Sequence, residues 1–232
     1  MKLSLLFYLF KLNGINSLSY TPYKYPYDPR IHNFGNVGIG GKFHANLARP
    51  ITKVIDNAAY EGEDIREIIG STLKKMKIET ISDWACGTGM STDALFNSFK
   101  SATISAFDTS EEMLEVARKC SISNAKFILG DIENVRLPKP ADLITIMFAF
   151  HEIPQNGRLK ILKNAKENLA DGGHLLVVDI DISYKPSKMM LTGEPYVLDY
   201  LSNIRSDIFS IFPCVKEDVP VPGHVRQWLL KK

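Results

Sequence analysis

The 232-residue chain is poor in cysteine, in long apolar runs and in blocks of like charge. Its three cysteines, Cys86, Cys120 and Cys214, are odd in number and lie far apart, which fits neither a disulfide framework nor a CxxC metal site and predicts reduced, packed thiols. No other metal-ligand set is legible. Lys and Arg number 28 against 26 Asp and Glu, a net charge of +2 spread along the chain, so the composition carries no nucleic-acid or membrane-surface footprint. The expected partner is a small molecule; oligomeric state is not encoded. Internal repeats and low-complexity tracts are missing. The opening stretch MKLSLLFYLF holds one lysine and an apolar run from Leu3 to Phe10, far too short to cross a bilayer as a helix. It resembles the start of a targeting signal, with Ser17 and Ser19 offering a small-x-small site, and fits an N-terminal element packed on the domain equally well. Location is cytoplasmic by default unless that segment is a signal.

What is present suffices for one domain: at 45% hydrophobic composition the chain can bury a sizeable core. Residues 1–19 read as an appendage, 20–77 as a lid loop with N-terminal helices, and 78–232 as the main domain. The stretch YTPYKYPYDPRIHNFGNVGIGGKFH holds three prolines, four tyrosines and four glycines, which predicts an extended aromatic loop over 20–44. Tyr23, Tyr25, Tyr27 and Phe43 then form either an aromatic lid or a belt packed on the sheet. Pro50 is placed for a first helical turn, followed by Ile51, Val54, Ile55 and Ala58 at helical spacing, and EDIREIIGSTLKKMK gives a second helix.

After residue 78, strands alternate with helices. ETISDWA, ATISAFD, AKFILGD, ADLITIMFAF and GHLLVVDID are β-branched apolar runs suited to buried parallel strands. SEEMLEVARKC and NGRLKILKNAKENLA are amphipathic, the second closed by Asp171, Gly172 and Gly173. The alternation implies a doubly wound α/β sheet with its ligand outside the carboxyl ends of the strands. A helix over GEPYVLDYLSNIRSDIFS and an antiparallel hairpin over CVKEDVPVPGHVRQWLLKK complete the chain.

The loop ACGTGM follows the first strand directly. Gly87 and Gly89 let the backbone approach a ligand and offer N–H groups at the mouth of the next helix. A GxGxxG dinucleotide fingerprint would need glycine where Thr92 stands. Asp108 follows the second strand, where a carboxylate can accept both hydroxyls of a ribose, and Asp131 follows the third.

Taken in order, DWACGTG, SAFDTSEEMLEVARK, GDIENVRLP, ADLITIMFAFHEIP and LADGGHLLVVDID resemble the motif set of class I S-adenosylmethionine-dependent methyltransferases, strongly over residues 79 to 181. The resemblance implies a mostly parallel seven-stranded sheet ending in the antiparallel hairpin. It implies that Asp83, Ala85, Gly87 and Gly89 hold the methionine part of the cofactor, with Ala85 departing from the family's first glycine. It further implies Asp108 on the ribose, Asp131 and Ile132 at the adenine, and Phe148 lining the site. HEIP and SYKPSKMMLTGEPY loosely resemble small-molecule and quinone-type members.

His151 and Glu152 follow the fourth strand. His151 is placed to take a proton from a methyl acceptor, or the pair caps the helix that Pro154 begins. A sulfonium methyl needs alignment and exclusion of water more than acid or base, so few catalytic side chains are expected. Two other classes compete: a silent cofactor-binding subunit, and a nicotinamide-dependent oxidoreductase, against which Thr92 and the hairpin argue.

Overall fold

The computed structural model describes residues 23–232. The expectations for the targeting stretch and the first residues of the lid lie outside them. Seven strands, β1 (Thr80–Trp84), β2 (Thr103–Asp108), β3 (Lys126–Leu129), β4 (Ala141–Met147), β5 (Leu169–Ile180), β6 (Cys214–Val221) and β7 (Val225–Lys231), form one sheet in the order β3-β2-β1-β4-β5-β7-β6. The first five run parallel, and β7 lies antiparallel between β5 and β6. This is the doubly wound sheet with a terminal hairpin that the motif order implies.

The helices are α1 (Gly38–Ala59), α2 (Ile65–Thr72), α3 (Met90–Ser98), α4 (Glu111–Cys120), α5 (Gln155–Asn168), α6 (Lys188–Gly193) and α7 (Val197–Phe209). Because side chains alternate along a strand, neighbouring residues of β4 and β5 feed opposite faces. Ile144, Ile146, Leu175 and Val177 pack with Trp84, Phe150, Ile161, Tyr200 and Trp228 in one core. Leu143, Leu176 and Val178 join Ile65, Ile69 and Leu95 in the other. Strands covered on both faces read as continuous apolar runs for this reason.

Four local expectations are corrected. Helix α1 begins at Gly38 and carries Pro50 in its interior, so residues 38–44 are helical and not part of an extended loop. A Cβ on Gly40 would collide with the Phe34 carbonyl oxygen, and one on Gly41 would lie 2.6 Å from that of Asn36, so these glycines admit the preceding chain against the helix. Ile51, Val54 and Ile55 are 40–53% exposed, and α1 buries Gly41, Ala45 and Asp56 instead. Asp171, Gly172 and Gly173 do not stop α5; they lie inside β5, where Gly172 takes φ +75° beside a register shift against β4. Cys86 is buried as expected but Cys120 is exposed, while the Cys214 side chain lies outside the described set. Among the described residues no helix is long and apolar enough to cross a membrane.

Candidate active site

A cavity of about 580 Å³ opens at the carboxyl ends of the parallel strands, under residues 25–36 and α1. Its floor begins with the loop after β1. Ala85, Gly87 and Gly89 all have positive φ, of +57°, +52° and +83°, and this left-handed sequence turns the chain from β1 into α3. A Cβ at Gly87 would meet nothing within 4 Å, because that side of the loop is open cavity. At Gly89 it would press on the Phe127 ring and Ala117 at 3.2–3.4 Å; this glycine serves packing and does not line the cavity.

Asp83 lies beneath the loop and does not line the cavity either. Its buried carboxylate accepts from Ser91 Oγ (2.8 Å), Thr92 Oγ1 (2.6 Å) and Thr145 Oγ1 (2.7 Å). Burial pushes its pKa up against these three donors. The residue implied as a direct cofactor contact is therefore a clamp joining β1, α3 and β4. Thr92, which breaks the dinucleotide fingerprint, is one jaw of that clamp.

Asp108 does line the cavity. Its Oδ2 accepts the Gly87 N–H at 2.8 Å and its Oδ1 accepts that of Ser110 at 2.9 Å. Burial raises its pKa to about 6, with these bonds opposing the rise. Asp131 and Ile132 reach the cavity from the end of β3. Ile132 is apolar and buried, whereas Asp131 is partly engaged: Oδ1 accepts from the Glu133 N–H at 3.0 Å, and Oδ2 pairs with Lys24. Tyr25 donates to Glu133 alongside, so the segment around the 3-10 turn Tyr25–Tyr27 is strapped across the β3 end of the cavity. Tyr25 is the aromatic that turns inward, while Tyr23, Tyr27 and Phe43 are 42–65% exposed. Phe148 follows β4 in a left-handed conformation, φ +56°, with its N–H on the Val178 carbonyl at 2.7 Å. The Arg66 guanidinium sits 4.8 Å from its ring and also lines the cavity.

His151 lies in the 3-10 turn Phe150–Glu152 and caps nothing; Glu152 does not cap α5 either, since that helix starts behind Pro154 with no side-chain cap. The buried Arg158 holds the turn by donating to the Ile153 carbonyl at 2.7 Å while paired with Asp207 and Asp199. His151 Nδ1 meets Asp179 Oδ1 at 2.6 Å, and its backbone N–H donates to Oδ2 at 3.2 Å. Burial opposes charge on this imidazole, but Asp179, followed by Glu194 and Glu152, outweighs it and lifts the pKa to about 10. The pairing with Asp179 favours the charged ring, in which both nitrogens are hydrogen-bond donors.

Beside it stand three groups from distant parts of the chain. His32 Nε2 lies 3.2 Å from both Glu152 Oε1 and Glu194 Oε1. Burial opposes charge on His32, yet the two carboxylates hold its pKa up at about 9. Glu194 is pushed upward by burial and by Glu152, whereas Glu152, despite burial, is held low by His32. Sequence reading missed Arg66, His32 and Glu194. His32 and Arg66 lie in no motif and Glu194 only in the loosely matching stretch SYKPSKMMLTGEPY, and 161 residues separate His32 from Gly193, whose lack of a Cβ lets the end of α6 approach the His32 backbone.

The sheet order and the strand-end cavity define a doubly wound α/β domain of the methyltransferase type. Residues 81–173 match the family model described as "Methyltransferase domain". A malonyl-[acyl-carrier protein] O-methyltransferase 2 of Coxiella burnetii is 40% identical over 99 residues, 41% of this chain and 40% of the relative. A trans-aconitate 2-methyltransferase of Rhizobium etli is 29% identical over 109 residues, 47% of this chain and 41% of the relative. The chain thus spans about two-fifths of the length of these curated relatives. Its fold is shared with an S-adenosylmethionine-dependent methyltransferase from Clostridium acetobutylicum, at a TM-score of 0.59, 14% identity and coverage of 80% of this chain and 99% of that one. It is shared also with the N-methyltransferase NodS from Bradyrhizobium japonicum in complex with S-adenosyl-L-homocysteine, at a TM-score of 0.55, 12% identity and coverage of 72% and 84%. The matched segment, residues 81–173, and the shared fold support the class I S-adenosylmethionine-dependent methyltransferase family for this domain.

Proposed function

We propose that this protein transfers a methyl group from S-adenosylmethionine to a small-molecule acceptor. The observation that carries the reading is the junction of Gly87 and Asp108. A glycine with φ +52° and an open Cβ direction is tied to a carboxylate that retains further acceptor capacity, both on the cavity wall. This donor set fits the cofactor. Asp108 would accept from ribose hydroxyls and Asp131 from the adenine amino group, with Ile132 covering the ring. Backbone at Ala85 and Gly87 would flank the methionine moiety. Arg66, the one guanidinium among the described lining residues, is the natural partner for its carboxylate. Asp83 and Gly89 act from behind, by fixing the loop.

When bound, S-adenosylmethionine supplies a methyl carbon made electrophilic by its sulfonium. The chain's own part is to align a nucleophile with that carbon and to exclude water. Residues 25–36 and α1 cover the cavity, and Tyr25 and Phe148 line it with aromatic surface. His151, as a donor fixed by Asp179, orients an oxygen of the acceptor. The small-molecule class is supported by the curated relatives' names.

Calorimetry with S-adenosylhomocysteine and with NAD separates the transferase from an oxidoreductase: the first should bind and the second should not. Incubating the protein with a metabolite extract and isotope-labelled S-adenosylmethionine then identifies the acceptor by its label. S-adenosylhomocysteine binding without label transfer, alone or with added partner proteins, would mark a silent subunit instead.

A further inference from the structure

We propose that His32, Glu152 and Glu194 form a binding site for one divalent cation of borderline softness, such as Zn²⁺, at the acceptor end of the cavity. The three ligand atoms come from the 3-10 turn Ile31–Asn33, the turn Phe150–Glu152 and the end of α6, and all lie within 4.8 Å of one another. Both nitrogen–oxygen separations are 3.2 Å. Ligands held at roughly 2.0–2.2 Å from a common ion, at tetrahedral or octahedral angles, stand about 3.0–3.5 Å apart; the two His32–carboxylate spacings are those of adjacent corners, and the two carboxylate oxygens, within 4.8 Å of each other, close further on the ion.

Hydrogen bonding within the protein leaves the cluster incomplete. The imidazole Nε2 carries at most one hydrogen, yet two carboxylates face it at equal distance. Glu194 Oε2 is buried and has no hydrogen-bond partner, on a side chain only 9% exposed. An orphaned carboxylate oxygen in such a place is costly unless something positive meets it. The ligand set is also mainly anionic in kind: two carboxylates, Glu152 and Glu194, face the single imidazole of His32.

One imidazole with two carboxylates suits Zn²⁺ better than the all-oxygen shells of Mg²⁺ and Ca²⁺. Three protein ligands leave at least one position open, and because all three residues line the cavity, that position faces it. An acceptor oxygen can bind there. This service to the acceptor rests on the transferase reading; the site itself does not.

The test uses the whole protein, stripped of metal with a chelator and free of cofactor and acceptor. Titration with Zn²⁺ in a calorimeter should give one ion per chain with a dissociation constant in the micromolar range or below, and Co²⁺ loading should produce visible d–d bands. Glu194→Gln and His32→Gln should each weaken binding at least tenfold, while Cys120→Ser, which removes an exposed thiol, leaves it unchanged. Should Glu194→Gln fail to fold, Glu152→Gln gives the same comparison. No Zn²⁺ binding by the wild-type chain, or equal binding by the folded variants, overturns the site. Because no cofactor is present, either result is independent of whether S-adenosylhomocysteine binds.

Discussion

The backbone N–H of Gly87 donates to Asp108 Oδ2 at 2.8 Å, so the loop after β1 and the acid after β2 form one rigid unit across two neighbouring strands. A ligand that engages the remaining lone pairs of Asp108 is thereby held against the glycine loop.

Asp108→Ala should weaken S-adenosylhomocysteine binding by about 1.5–3 kcal/mol, the worth of a hydrogen bond to a charged group. Calorimetry on folded variant that returns wild-type affinity would remove Asp108 from the site. Binding should also be acid-sensitive. Burial lifts the Asp108 pKa to about 6, so affinity should fall as pH drops through that value, and Asp108→Asn should flatten the profile. The sign separates this from unfolding: a carboxyl whose folded pKa is raised favours the folded state more, not less, as pH falls through that pKa.

Gly87→Ala forces a side chain into the left-handed region at a cost of about 1–2 kcal/mol. The new methyl meets no protein atom, so thermal or urea unfolding should show no more than this loss. Cofactor-analogue affinity should fall at least tenfold, because the methyl enters the space the ligand needs. Equal effects on folding and binding would mean that the open side of Gly87 is not a ligand surface.

Asp179→Ala should destabilise the fold by about 3 kcal/mol, since it strips a buried imidazole of its partner. The pairing raises the His151 pKa to about 10, so its contribution to stability is fully present below the unfolded value of about 6.5 and is lost as pH rises through 10. Urea midpoints measured from pH 6 to pH 10 should therefore converge for wild type and variant at the alkaline end. Parallel curves would contradict the charged pairing.

The strap over β3 should respond to ligand. Residues 38–44 are helical, so the lid expectation narrows to 23–37, tied by Lys24 to Asp131 and by Tyr25 to Glu133. Limited proteolysis of that segment should slow when S-adenosylhomocysteine is added and quicken in a Lys24→Ala, Tyr25→Phe double variant. Identical cleavage with and without ligand would leave it a static cover.

Much of the fold was legible because β-branched runs such as ATISAFD can be satisfied only in strands covered on both faces, and both faces are covered. The start of α1 was not. Gly38, Gly40 and Gly41 read as loop, although two of them are glycine only because Phe34 and Asn36 pass so close. The motif residues led to the right wall of the cavity, yet motif order alone could not tell Asp108, which faces the space, from Asp83, whose lone pairs go to three hydroxyls. Of the His32 cluster only Glu152 stood out in sequence, in the HEIP stretch; His32 and Glu194 share no periodicity with it and meet it only through tertiary packing.

The position of β7 also bears on how the molecule is made. It is the last strand of the sheet in chain order, yet it pairs along β5 from Ile180 back to His174, alongside Asp179, and it separates β5 from β6. On the ribosome, β1 to β4 can assemble from short-range crossovers as they emerge. β5 must wait with one edge bare until residues 225–231 leave the exit tunnel. The wall of the cavity that carries His151's partner is therefore the last part of this sheet to gain its neighbour, and until then β5 keeps an unpaired apolar edge.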